Sequence, residues 1–88
     1  MTDLGAEIDL GDHAETLVSN PAYQQAIVRV KARIYEQWQS TGFFQSKERK
    51  DLWRMARVVE DFETELRLMI ESAKLAREDL KTNLQSVK

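Results

Sequence analysis

Cysteine is absent from this 88-residue chain, so it can build neither a disulfide framework nor a thiolate metal site. Its one histidine, His13, has no second imidazole with which to share a metal. The acids beside it, Asp12 and Glu15, are explained by helix capping. The three glycines (Gly5, Gly11, Gly42) are scattered, which excludes a glycine-rich phosphate loop. No apolar run approaches the ~18 residues that span a bilayer, and the first residues are acidic rather than basic-then-apolar. Neither a membrane span nor a signal peptide is therefore expected. The carboxylates Glu60, Asp61, Glu63 and Glu65 are dense, but one helical turn spreads them around the helix. No catalytic residue, metal ligand or cofactor is assigned. The expectation is a soluble, cytoplasmic, non-enzymatic protein of one domain.

What the chain does have is a long helical stretch, residues 47–87. At alternating steps of four and three it reads Leu52, Ala56, Val59, Glu63, Leu66, Ile70, Ala73, Arg77, Leu80, Leu84 and Val87. Nine of these eleven are apolar, and that spacing keeps one stripe facing a partner helix, as in a coiled coil. Met55, Phe62, Met69 and Ala76 widen the stripe on one side, while Glu60, Arg67, Lys74 and Lys81 keep the other side charged. No glycine or proline interrupts it. The two polar seam positions, Glu63 and Arg77, suit either an ion pair across an interface or side chains that snorkel to water.

Charge divides the chain more sharply than its net −2 suggests. Residues 1–20 carry five acids and no base, residues 21–57 eight bases and three acids, and residues 58–88 seven acids and five bases. With two glycines and no helical period across them, residues 1–11 are expected to form a flexible acidic arm. Asp12 with Glu15 has the spacing of a capping box, predicting a short helix over 13–19. Ser19-Asn20-Pro21 then resets the chain: asparagine caps and proline suits the first helical position. A second helix is predicted over 21–39, with Tyr23, Ile27, Val30, Ile34 and Trp38 on its apolar face. Gly42 is expected to end it in a left-handed conformation, and Ser46 to cap the long helix.

The fold expected is all-α: a short N-terminal helix, then an antiparallel helical hairpin within one domain, residues 12–88. A helix of 21–39 is roughly 28 Å long and one of 47–87 roughly 60 Å. The shorter helix covers the longer one only to about Leu66. Leu66, Met69, Ile70, Ala73, Arg77, Leu80, Leu84 and Val87 are therefore expected to form an interface between copies, making the protein at least a dimer. A second candidate surface is the basic, aromatic tip of the hairpin: Phe43, Phe44, Lys47, Arg49, Lys50, Trp53, Arg54 and Arg57. Bases interleaved with aromatics can hold phosphates and stack bases, although Glu48 and Asp51 dilute the patch and predict weak binding at most.

The residues Ser19-Asn20-Pro21-Ala22-Tyr23-Gln24, then Tyr35 and Trp38, then Trp53, Arg57, Asp61, Leu66, Met69-Ile70, Lys74 and Ala76, carry a resemblance. Residues 19–77 resemble small all-helical proteins encoded in tailed-bacteriophage head and DNA-packaging gene clusters. Small terminase subunits, which oligomerise through helical hairpins and bind packaging DNA, are one version. The resemblance implies a non-enzymatic part in virion assembly or packaging, in the host cytoplasm or the virion, with phage structural or packaging proteins as partners. A separate N-terminal helix-turn-helix, which many small terminase subunits carry, is not found in the sequence. The alternatives are a nucleic-acid-binding module using tip 47–57 and a small phage-encoded inhibitor that docks on a host protein.

Overall fold

Three helices follow one another in the computed structural model, which describes residues 3–42 and 44–86, the last two by backbone alone. They are α1 (Leu4–Val18), α2 (Pro21–Ser40) and α3 (Ser46–Ser86). The expectations for Phe43 and Val87 fall outside the described residues. Among the described residues there is no strand, and no helix is long and apolar enough to cross a membrane.

The first helix corrects the expected arm. Asp3 caps it: its carboxylate accepts from the Gly5 N–H at 3.0 Å and the Ala6 N–H at 3.3 Å. The supposed capping box at Asp12 lies in mid-helix, because Asp3 already does that work upstream. Glycine costs a helix interior about 0.5–1 kcal/mol relative to alanine. Here Gly11 is buried, as is Ala14, while Leu4, Ile8 and Val18 are half-buried. Those five residues form one stripe once glycine is counted as a small packing residue rather than a break. The Ser19 N–H donates back to the Glu15 carbonyl at 3.1 Å and closes the helix.

Asn20 opens α2 by accepting from the N–H groups of Ala22 (2.8 Å) and Tyr23 (3.1 Å), with Pro21 in the first turn. The far end departs from expectation. Thr41 leaves the helix in an extended conformation, its hydroxyl and N–H both donating to the Trp38 carbonyl at 2.6 and 3.2 Å. That carbonyl is satisfied without a left-handed residue, and Gly42 has no positive φ. Gly42 and Gln45 then bond reciprocally: the Gln45 N–H donates to the Gly42 carbonyl at 3.0 Å, and the Gly42 N–H to Gln45 Oε1 at 2.6 Å. The Gln45 carbonyl accepts the Arg49 N–H, so Gln45 rather than Ser46 takes the cap position of α3.

The contacts divide the chain into two units, residues 1–19 with 64–88 and residues 20–63. In the first, α1 packs on the C-terminal half of α3 through small residues. A Cβ added at Gly11 would overlap that of Ala73 and come within 2.9 Å of the Met69 carbonyl oxygen. Leu66, Ala73 and Ala76 are buried there at 7%, 1% and 2% exposure. Asp12 is ion-paired with Arg77. The proposed inter-copy stripe is corrected accordingly. Leu66 and Ala73 are already covered within the chain, Met69 and Ile70 are half-buried, and Arg77 has a partner in α1. Leu80 and Leu84 are exposed.

In the second unit the contacts pair Tyr23 with Phe62 (ring centroids 6.5 Å apart), Lys31 with Glu63 (2.6 Å) and Trp38 with Arg49, whose guanidinium lies 4.2 Å from the ring centroid. Glu63, the other polar seam residue, thus finds its cation on α2. Tyr23, Ile27, Ile34 and Trp38 face inward but only half-buried, and α2 has no buried residue at all. Among the described residues of this unit, Leu52 is the buried side chain.

Candidate interaction surface

The amphipathic periods of α2 and of the first half of α3 bring one apolar edge of each helix to a common seam. Side chains a step to either side of that edge must then lie on one flank or the other. Two open grooves result, and Ile34 lines both. The first, of about 380 Å³, is lined by Lys31, Ile34, Tyr35, Trp38, Trp53, Ala56 and Glu60. The second, of about 470 Å³, is lined by Val30, Arg33, Ile34, Gln37, Arg54, Met55, Val58 and Val59. We call these the aromatic and the aliphatic flank.

Both flanks expose large apolar side chains. On the aromatic flank Tyr35 is 61% and Trp53 59% exposed; on the aliphatic flank Val58 is 65% and Met55 52% exposed. Single exposed apolar residues need no explanation, but contiguous ones mark interaction surfaces. Charge on the flanks is uneven. Lys31 is held by Glu63, leaving Glu60 on the aromatic flank, where Arg57 also lies 5.8 Å from the Trp53 ring centroid. The aliphatic flank carries Arg33 and Arg54, the latter only 3.8 Å from Asp51 in an exposed pair.

The basic tip is assembled less fully than its sequence suggests. Arg49 is half-buried against Trp38, Arg54 is near Asp51, and Arg57 stands over Trp53. Lys47 and Lys50 are exposed, and Phe44 is 96% exposed. The guanidinium faces of the stacked arginines are partly engaged. Tyr35, Val30, Arg33 and Val58 escaped the sequence reading as site residues. A single stripe was read along each helix, whereas a two-helix layer has two flanks; Val58, an apolar β-branched residue beside the seam residue Val59, was the available signal.

A smaller groove in the first unit is lined by Glu7, Leu10, Glu65, Leu68, Met69 and Ser72. His13 is exposed, and among the described residues no cluster of three His, Asp or Glu side chains could hold a metal ion. No protein family, curated protein or solved structure matches this chain.

Proposed function

We propose that this chain is a non-enzymatic structural or interaction protein that self-associates through the two flanks of an antiparallel α2–α3 hairpin. One observation carries the reading: α2 spans 20 residues with a regular apolar face, and not one of them is buried within the single chain. A helix draws most of its stability from packing such a face. Transfer of apolar surface from water is worth about 25 cal/mol per Å², so covering Tyr35, Trp53, Met55 and Val58 favours association strongly. Virion assembly or DNA packaging in a tailed phage is the setting we propose, on the resemblance of residues 19–77.

Sedimentation equilibrium at micromolar concentration tests the association. The wild type should sediment as two or more copies. Replacing Tyr35, Trp53, Met55 and Val58 together by glutamate should give a monomer that keeps its helical circular dichroism. The pair Leu80→Glu and Leu84→Glu, outside the flanks, should leave the mass unchanged. A wild-type monomer across that range would refute self-association.

A further inference from the structure

We propose that the two flanks are unlike halves of one contact, the aromatic flank of one copy packing on the aliphatic flank of the next. This rests on the self-association reading and specifies its geometry. The occupant of each groove is a second copy of this chain, and the argument is complementarity. Pairing the aliphatic flank with itself about a two-fold axis would bring two copies of Arg33 and Arg54 together in an apolar contact, where like charges repel. Pairing the aromatic flank with itself avoids that, but it leaves Val30, Met55 and Val58 in water. Only the unlike pairing covers both flanks with a single kind of contact.

The unlike pairing also gives the arginines something to bind. Arg33 and Arg54 of one copy would meet Glu60 and the ring of Tyr35 of the next, Arg57 already lying over Trp53. Arginine stacks well on aromatic faces, and the chain already uses that contact internally at Trp38 and Trp53. Such a contact is heterologous: each copy keeps one used and one unused flank until a ring closes or a filament extends. The wild type should therefore exceed two copies.

Two variants, each disabling one flank, decide the matter. Tyr35→Glu with Trp53→Glu removes the aromatic flank; Met55→Glu with Val58→Glu removes the aliphatic one. All four side chains are more than half exposed, so the helices should persist. Each variant alone should sediment as a monomer. Mixed in equal amounts they should form a 1:1 heterodimer and go no further, doubling the mass, because one intact flank of each kind remains. Two results overturn the inference while leaving self-association standing: an aliphatic-flank variant that still dimerises alone, or a wild type that stops at two copies. A mixture that stays monomeric overturns it too. If either double variant loses helical signal, Arg33→Glu with Arg54→Glu replaces the aliphatic one, and Glu60→Arg the aromatic one. Each should then weaken assembly of a chain carrying it alone, and all three changes in one chain should restore it. Failure of that restoration counts against the unlike pairing.

Discussion

Gly11→Ala puts the packing of α1 on α3 to a direct test, because two effects of known size oppose each other there. In an unobstructed helix interior, alanine is better than glycine by about 0.5–1 kcal/mol. At Gly11 the new Cβ would overlap Ala73 Cβ and lie 2.9 Å from the Met69 carbonyl oxygen. Neither obstacle is the end of a flexible side chain, so the helices must separate. Overpacking of this kind costs about 1–3 kcal/mol. Separation would also loosen the contacts that bury Ala14, Leu66 and Ala76. The obstruction should win, for a net loss of about 1 kcal/mol, or roughly 4–8 °C in Tm for a domain of this size.

The assay is thermal unfolding followed by far-ultraviolet circular dichroism, at one protein concentration throughout. Gly5→Ala is the control, since a Cβ there meets only the Asp3 carboxylate, at 3.3 Å; its Tm should change little. Ala73→Gly should be destabilising alone, yet combined with Gly11→Ala it vacates the space the new methyl needs. The double variant should therefore lose less than the sum of the singles, by about 1 kcal/mol, as touching residues do. A Gly11→Ala protein with a raised Tm would refute the close approach of α1 to Ala73.

The Tyr23 hydroxyl is buried without a hydrogen-bond partner among the described residues, and its pKa is raised above 10.0 by burial first and by Glu63 second, with Lys31 opposing. The folded state holds that proton more tightly, so this contribution to stability is complete below about pH 10 and is lost as pH rises through the raised value. Tyr23→Phe should flatten the alkaline fall in Tm and leave the neutral-pH Tm unchanged or higher; a clear drop at pH 7 would mean the hydroxyl is satisfied. At the basic tip, fluorescence anisotropy should show only weak duplex-DNA binding, lost by about 150 mM salt, with a log–log slope of about −0.9 per phosphate contact. Submicromolar affinity at that salt, abolished by Arg49→Glu, Lys50→Glu and Arg54→Glu together, would make the tip a nucleic-acid site.

The helices were legible to the extent that their signals are local. The four-three spacing and the lack of breakers mark α3, and Asn20-Pro21 marks the start of α2 by a cap that acts within three residues. What escaped depends on contacts distant in sequence. Gly5 and Gly11 read as breaks because glycine weakens an isolated helix, yet Gly11 is what lets α1 approach Ala73 closely. Glu63 and Arg77 were open to an ion pair across an interface or to snorkelling, and the sequence does not show their actual partners within the chain, Lys31 in one case and Asp12 in the other. The inter-copy interface followed from the reach of helix 21–39, which ends near Leu66, and from a first helix read as short, whereas α1 begins at Leu4. The tip's aromatics and bases could be named from the sequence. Their mutual stacking, which draws Arg49 onto Trp38, depends on side-chain geometry that the order of residues does not show.

The distribution of burial ties these points to association. Among the described residues the buried apolar side chains are Ala14, Leu52, Leu66, Ala73 and Ala76, and four of the five belong to the unit containing α1. That unit packs through small residues whose close contacts can be completed within one chain. The unit of residues 20–63 is built differently. It holds both tryptophans, both tyrosines and a helix with nothing buried, so its large side chains make half a core. Large aromatics are the residues that gain most from being covered, and a second copy supplies the same kind of surface at no cost in new sequence. If the hairpin is completed only in the assembly, its unfolding must be linked to dissociation. Melting of residues 20–63 should then shift upward with protein concentration by mass action. The packing of α1 on α3, finished within each chain, should follow that shift only as far as the continuous helix α3 couples the two units.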